Sequence, residues 1–462
     1  MKDEKKRASG TTDLTTGRPL VRILMFALPL VLGTLFQQLY SFADTVIVGR
    51  CLGTEALAAV GSTYSLNFLI LGFVQGTCVG FGIPVAEAFG AKNRDDLHRY
   101  LSNGALLCVV LGVVLTVLTT LFAAPLLQLI HTPKDIFDAA VLYIRIIFIG
   151  IPATVLYNYS ASVLRSLGDS RHPFYFLLAT SILNIVLDWV LIVPCGMGVD
   201  GAAIATVASQ VVSAVLTVRC IHGSQGMPWH LQLKNIRIER SVLLAICRIG
   251  LPGAAQSALY SISNMTIQSA INGFGTVAVA AWSVYGKIDF LFWMTVSSFG
   301  IAVTTFAGQN FGARQYDRVR RGTMTCLAMT AGTTLCISLA LYPSAQLLFR
   351  LFSSDDAVVA QGVQMMHYLV PVYMTYICIE IFSGALRGCG DVRVPTIITV
   401  FAVCIMRIVW LAVALPFKHE LSVVEFSYPL TWITATVLFA IYYAKGGWMQ
   451  RCIAAQNAKT QG

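Results

Sequence analysis

Two aspartates and an asparagine interrupt runs of sequence that are otherwise apolar. Asp44 closes a run rich in Leu, Phe and Val, and Asn184 and Asp188 sit within SILNIVLDWVLIV. The latter two are four residues apart, so on a helix both side chains leave one face. Thr206, in the next apolar run, adds a hydroxyl. Two carboxylates, an amide and a hydroxyl form an oxygen-rich set suited to a small hard cation such as Na+. Held together away from water, the same carboxylates could carry a proton instead. Helix–helix hydrogen bonding is the structural alternative, and it is strongest for Asp44, close to the outer end of its run.

The surroundings give these residues their weight. Of 462 residues, 56% are hydrophobic and 12% charged, and the mean hydropathy is +0.72. Soluble chains carry about twice that charged fraction. A soluble enzyme, a disordered chain and a disulfide-rich secreted domain are thereby excluded. Twelve apolar runs are long enough to cross about 30 Å of hydrocarbon. They fall near 20–43, 57–83, 101–126, 138–163, 174–194, 201–221, 242–272, 277–307, 323–349, 364–385, 396–417 and 421–444. Being continuously apolar and twice the length of a barrel strand, they predict an all-α polytopic membrane protein. An ionisable group inside such a run is costly unless it faces a cavity or a partner.

Basic residues orient the spans. Alternating the loops places 25 of the 32 Lys and Arg on one side. Only Arg50, Lys134, Arg350 and Lys418 fall on the other, with Arg145, Lys287 and Arg407 inside runs. The positive-inside rule then puts both termini in the cytoplasm, with the chain in the plasma membrane. The net charge of +10 therefore encodes orientation rather than a nucleic-acid partner. Residues 1–19 read as a cytoplasmic tail, 20–222 as one six-span half, 223–240 as a linker, 241–444 as the second half and 445–462 as a tail. The 12 cysteines show neither a disulfide framework nor zinc spacing.

The halves repeat at a shift of about 222 residues. LGTEALAAVG (52–61) answers FGTVAVAAWS (274–283), AEAFGAKNRDD (86–96) answers GQNFGARQYDR (308–318), and LRSLGDSRHP (164–173) answers LRGCGDVRVP (386–395). Six spans per unit make the halves parallel, which predicts two six-helix bundles related by a pseudo-two-fold axis along the membrane normal. Buried ionisable residues on such a scaffold favour alternating access over a channel. Pro29 and Pro252 open the two halves at equivalent positions and are candidate hinges. At this shift Asn184 and Asp188 correspond to Met406 and Trp410, and Asp44 to an apolar position near Ile267. A site present in one copy of a duplicated scaffold points to function rather than folding, with coupling in the first half.

FADTVIVG (42–49), the GAK and GAR turns at 90–92 and 312–314, and the paired LRSLGD and LRGCGD turns resemble the multidrug and toxic compound extrusion (MATE) transporters over essentially the whole chain. The resemblance implies export of bulky amphipathic, often cationic, drugs or dyes against H+ or Na+, with a cation site at Asp44, Asn184, Asp188 and Thr206. It implies a monomer in the lipid bilayer, with no cofactor and no catalysis. A lipid or polysaccharide-precursor flippase of the same superfamily is the alternative, although such proteins usually carry two more spans and would favour a basic cavity, for which only Lys287 and Arg407 are available. Family members that carry an acid in the seventh span couple through the second half, whereas here that span has none.

Tyr40, Gln256, Tyr260 and Glu380 are candidate substrate contacts, because aromatic faces and a carboxylate attract organic cations. Glu380 could alternatively pair with Lys287 or Arg407. Gly196, Gly198 and Gly201 have dinucleotide-like spacing but join two spans, without the strand such a site needs. Gly72, Gly76 and Gly80 form a ridge for close helix packing. No GxxxxGK[ST] motif occurs, leaving an ion gradient as the energy source.

Overall fold

The computed structural model describes residues 12–223 and 238–461, and their regular structure is helical throughout. In a bilayer this is the expected outcome for continuous apolar runs, because every backbone group must find its partner within the segment. The spans are α1 (Pro19–Cys51), α2 (Thr54–Gly90), α3 (Arg94–Leu129), α4 (Lys134–Ile149 and Ile151–Ser166), α5 (Arg171–Ile192) and α6 (Val199–His222), then α7 (Arg240–Asn272), α8 (Thr276–Gly312), α9 (Tyr316–Phe352), α10 (Asp356–Gly388), α11 (Arg393–Phe417) and α12 (Leu421–Lys445). A last helix, α13 (Trp448–Gln461), follows. Eleven of these are long and apolar enough to span a membrane, and the two pieces of α4, bent by 45°, make the twelfth. Pro152 explains the bend, since it has no amide to donate to the Phe148 carbonyl.

The helices pack as two compact units. One comprises residues 1–13 and Leu28–Ala254, the other Leu14–Ala27 and Ala255–Gly462. The division differs from the sequence boundaries 20–222 and 241–444. The start of α1 belongs with the second unit and the start of α7 with the first, each helix changing membership beside its internal proline, Pro29 or Pro252. The linker reading lies mostly on residues outside those described. Within the first unit the glycine ridge works as the spacing suggests: a side chain at Gly80 would meet the Gly250 backbone, and Gly76 lies under Gly253.

The paired LRxxGD turns are helix punctuation. Gly168 and Gly390 adopt φ +87° and +86°, a left-handed conformation open to glycine at little steric cost. Asp169 then accepts the Arg171 and His172 amides at 3.1 and 3.0 Å, capping α5. Two irregularities separate the second unit from the first. In α10, Pro371 accompanies a tightened 3-10 turn at Val370–Val372. In α11, Val400–Ile405 widens into a π-helix, whereas its counterpart α5 is α-helical from end to end.

Candidate functional site

The first unit brings the predicted cation set to its middle helices. Asn184 and Asp188 share the inner face of α5 and are 2% and 0% exposed. Asp44, half-buried on α1, turns its carboxyl group to that of Asp188, near enough for one proton to be shared between them. Apart from that mutual approach, neither oxygen of Asp188, neither polar atom of the Asn184 amide, nor Oδ1 of Asp44 has a hydrogen-bond partner. Buried polar groups are satisfied in the great majority of cases, so this concentration of oxygens without partners sets the position apart from the rest of the first unit.

Beside it lies a cavity of about 20 Å³, lined by Tyr40 from α1, by Ser181 and Asn184 from α5, and by Thr206, Ser209 and Gln210 from α6. That is room for a water or a single ion and far too little for a drug. Ser181 Oγ, Ser209 Oγ and Gln210 Oε1 are also buried without partners. Ser213 donates to Thr180 at 2.7 Å and ties α6 to α5 at the cavity edge. Sequence reasoning singled out Thr206 but passed over Ser209, Gln210 and Ser213. The signal was a polar stripe at i, i+3, i+4 and i+7 in an otherwise apolar helix. Tyr143 of α4, buried within reach of both carboxyl groups, was also missed.

The residues proposed to touch substrate do not form one group. Tyr40 belongs to the first unit, while Gln256, Tyr260 and Glu380 belong to the second. Gln256 is half-buried one turn before Tyr260 on α7. Glu380 pairs with neither Lys287 nor Arg407. Its carboxylate lies 4.0 Å from Arg387 and accepts from the Tyr376 hydroxyl at 3.4 Å. Lys287 instead sits over the Phe352 ring at 5.4 Å. Among the described residues no group of three His, Cys, Asp or Glu could hold a metal ion. The first-unit set depends on amide and hydroxyl oxygens, which suits a monovalent ion or a proton better than a transition metal.

One sequence correspondence needs correcting. The π segment of α11 advances the following residues by one position. Burial that falls on Asn184 and Asp188 in α5 therefore falls on Arg407 and Leu411 in α11, leaving Met406 and Trp410 half-buried.

The MatE family model matches the chain twice, over residues 29–190 and 252–413. The Bacillus subtilis protein named probable multidrug resistance protein YoeA is 28% identical over 429 residues, 91% of this chain and 92% of its own length. A Shewanella oneidensis FAD transporter is 28% identical over 351 residues, 74% of this chain and 76% of its own. A solved outward-facing multidrug resistance MATE family transporter of the MOP superfamily matches with a TM-score of 0.87 at 23% identity, covering 97% of this chain and 99% of that one. A MOP superfamily transporter from Pyrococcus furiosus matches with a TM-score of 0.88 at 22% identity over the same shares. At those identities the structural likeness establishes the fold.

Proposed function

The chain belongs to the MatE family, and from that premise we propose that it is a secondary active exporter of bulky amphipathic, often cationic, compounds, driven by the inward flow of H+ or Na+. The observation that carries the reading is the cluster of unpartnered oxygens at Asp44, Asn184 and Asp188 in one unit, beside a cavity of ion size. Relatives named for multidrug resistance support the substrate class. The protein is a multi-pass membrane protein, and the placement of its basic residues supports a plasma-membrane orientation with both termini inside.

An ion bound at Asp44, Asn184, Asp188 and Thr206 neutralises two carboxylates that otherwise repel, and so draws α1 toward α5 and α6. Its release to the cytoplasm relaxes them. Pro29 and Pro252 supply the pivots, because neither can complete the helical bond to the carbonyl four residues earlier, at Met25 and Arg248. Each pivot stands beside the point where its helix passes from one unit to the other. Tyr40, Gln256, Tyr260 and Glu380 serve as substrate contacts on the two units.

The test is dye efflux in inverted membrane vesicles under an imposed proton gradient, repeated under an imposed sodium gradient. The arm that drives efflux identifies the ion. Asp188→Asn preserves shape and removes charge, so efflux falls to background at unchanged expression. Wild-type export by that variant would remove the coupling site from the first unit.

A further inference from the structure

The second unit buries a charge of the opposite sign. Arg407 on α11 is 1% exposed, and a guanidinium does not shed its proton at any working pH. Among the described residues it makes no ion pair. Its guanidinium donates to the Thr431 hydroxyl at 3.3 Å and stacks over Tyr428 at 4.5 Å, while Nε has no acceptor. Among the described residues no acid of the unit forms an ion pair with Arg407, although Asp289 Oδ1 is itself left without a partner. Asp289 accepts from Trp293 at 2.6 Å, and Glu380 faces Arg387 and Tyr376. Glu425, buried on α12, forms no ion pair with Arg407 either.

The neighbours of Arg407 share its deficit. The indole N–H of Trp432 is buried without a partner, and the Tyr260 hydroxyl meets only that of Tyr376. Trp432 packs edge-on against Tyr428 at 5.2 Å and against Tyr376 at 5.2 Å, and Tyr260 stands beside Tyr376 within the electrostatic reach of Arg407. One cluster thus holds two N–H donors without acceptors, one of them charged, walled by aromatic rings. N–H donors predominate among its unpartnered atoms, whereas carboxylate and amide oxygens predominate at the first-unit site.

Two independent features show that the position is built. The π segment just before Arg407 turns it inward, and such segments recur at functional sites. The 222-residue repeat also maps Thr206, Ser209 and Gln210, which line the first-unit cavity, onto Tyr428, Thr431 and Trp432. Arg407 and its neighbours therefore occupy the place in the second unit that the cation set occupies in the first.

We propose that this cluster is an anion subsite that receives the carboxylate of an aromatic acid, with Arg407 holding the oxygens and Tyr428 and Trp432 flanking the ring. A guanidinium fork matches a carboxylate in two parallel hydrogen bonds, and the Tyr260 hydroxyl and Trp432 N–H supply further donors. Tyr428 and Trp432 close over the guanidinium, so a ligand enters as those rings turn aside. The inference deepens the exporter reading by extending its substrates to anionic and zwitterionic aromatics, and it rests on that reading for its biological use.

Binding tests it without transport. Equilibrium dialysis of the purified full-length protein compares 2-naphthoate with 2-naphthylmethylammonium, the same ring with opposite charge. Saturable naphthoate binding is expected, weakened at least tenfold in Arg407→Gln, with the ammonium probe unaffected. Tyr260→Phe and Trp432→Phe each remove one donor and weaken naphthoate two- to fivefold. Absence of saturable naphthoate binding, or equal affinity in wild type and Arg407→Gln, overturns the subsite. Should Arg407→Gln fail to fold, unchanged naphthoate affinity in both single-donor variants overturns it instead. No gradient enters the assay, so failure of ion-driven efflux and failure of the subsite are read separately.

Discussion

On α5 the inward face carries Asn184 and Asp188, whereas on α11 the same face carries Arg407 and Leu411. On α6 it carries Thr206, Ser209 and Gln210, and on α12 Tyr428, Thr431 and Trp432. Around Asp188 the unpartnered atoms are mostly carboxylate and amide oxygens, whereas around Arg407 they are the guanidinium Nε and the Trp432 N–H. The turns that end the helices before these faces are alike, with a left-handed glycine in each LRxxGD turn. Duplication preserved the residues that end and start helices and released the residues that face inward. The inward chemistry differs between the units while the sequence repeat stays in register, apart from one extra residue in α11 and the 3-10 turn in α10.

That extra residue is where the contrast is most easily broken. Deleting Cys404 from the π segment would restore an α-helical register and turn Arg407 by about 100°. The guanidinium would leave its donor cluster for the half-exposed position of Met406, and a basic side chain facing lipid costs about 3 kcal/mol. The expected result is loss of most folded protein in size-exclusion chromatography, and no naphthoate binding in what remains. Normal yield with an unchanged unfolding temperature would show that the π segment does not set the place of Arg407.

The division of labour predicts a graded series in gradient-driven efflux. Asp44→Asn removes one of the two facing carboxylates and is expected to lower efflux about tenfold. Thr206→Val removes one neutral ligand, about 1 kcal/mol of hydrogen bonding, and should cost about fivefold. Asp289→Asn in the second unit, where Trp293 already engages the carboxylate, should stay within twofold. A loss in Asp289→Asn as large as that in Asp44→Asn would mean that coupling is shared between the units.

Much of this was legible in the sequence, for identifiable reasons. The i, i+4 spacing of Asn184 and Asp188 fixes their shared buried face whatever surrounds them. Thr206, Ser209, Gln210 and Ser213 announce a stripe by the same periodicity, although only Thr206 was taken from it. Tyr143 carries no local signal, because its approach to the two carboxyl groups arises from how α4 packs. Arg407 could be read as a charge in a span, but its facing could not. The segment VFAVCI is uniformly apolar and gives no sign of the extra residue per turn that turns Arg407 inward. The unit boundaries near Pro29 and Pro252 also depend on which neighbours each helix meets along its length.

The smallest expected effect separates the two glycine turns. Alanine at either Gly168 or Gly390 must adopt φ near +87°, which costs an L-residue about 1–2 kcal/mol. Around Gly390 a new methyl group meets open space. At Gly168 it would run into the carbonyl of Thr12, whose amide donates to the Gly168 carbonyl at 2.9 Å. Gly168→Ala therefore adds the loss of that hydrogen bond, about 1 kcal/mol, and should lower the thermal unfolding midpoint further than Gly390→Ala. Removing residues 1–13 takes Thr12 away and should bring the two alanine variants level, since coupling between the sites runs through that contact. Equal shifts in the full-length protein would mean that the segment around Thr12 adds nothing to the first unit, and that the two turns differ in sequence only.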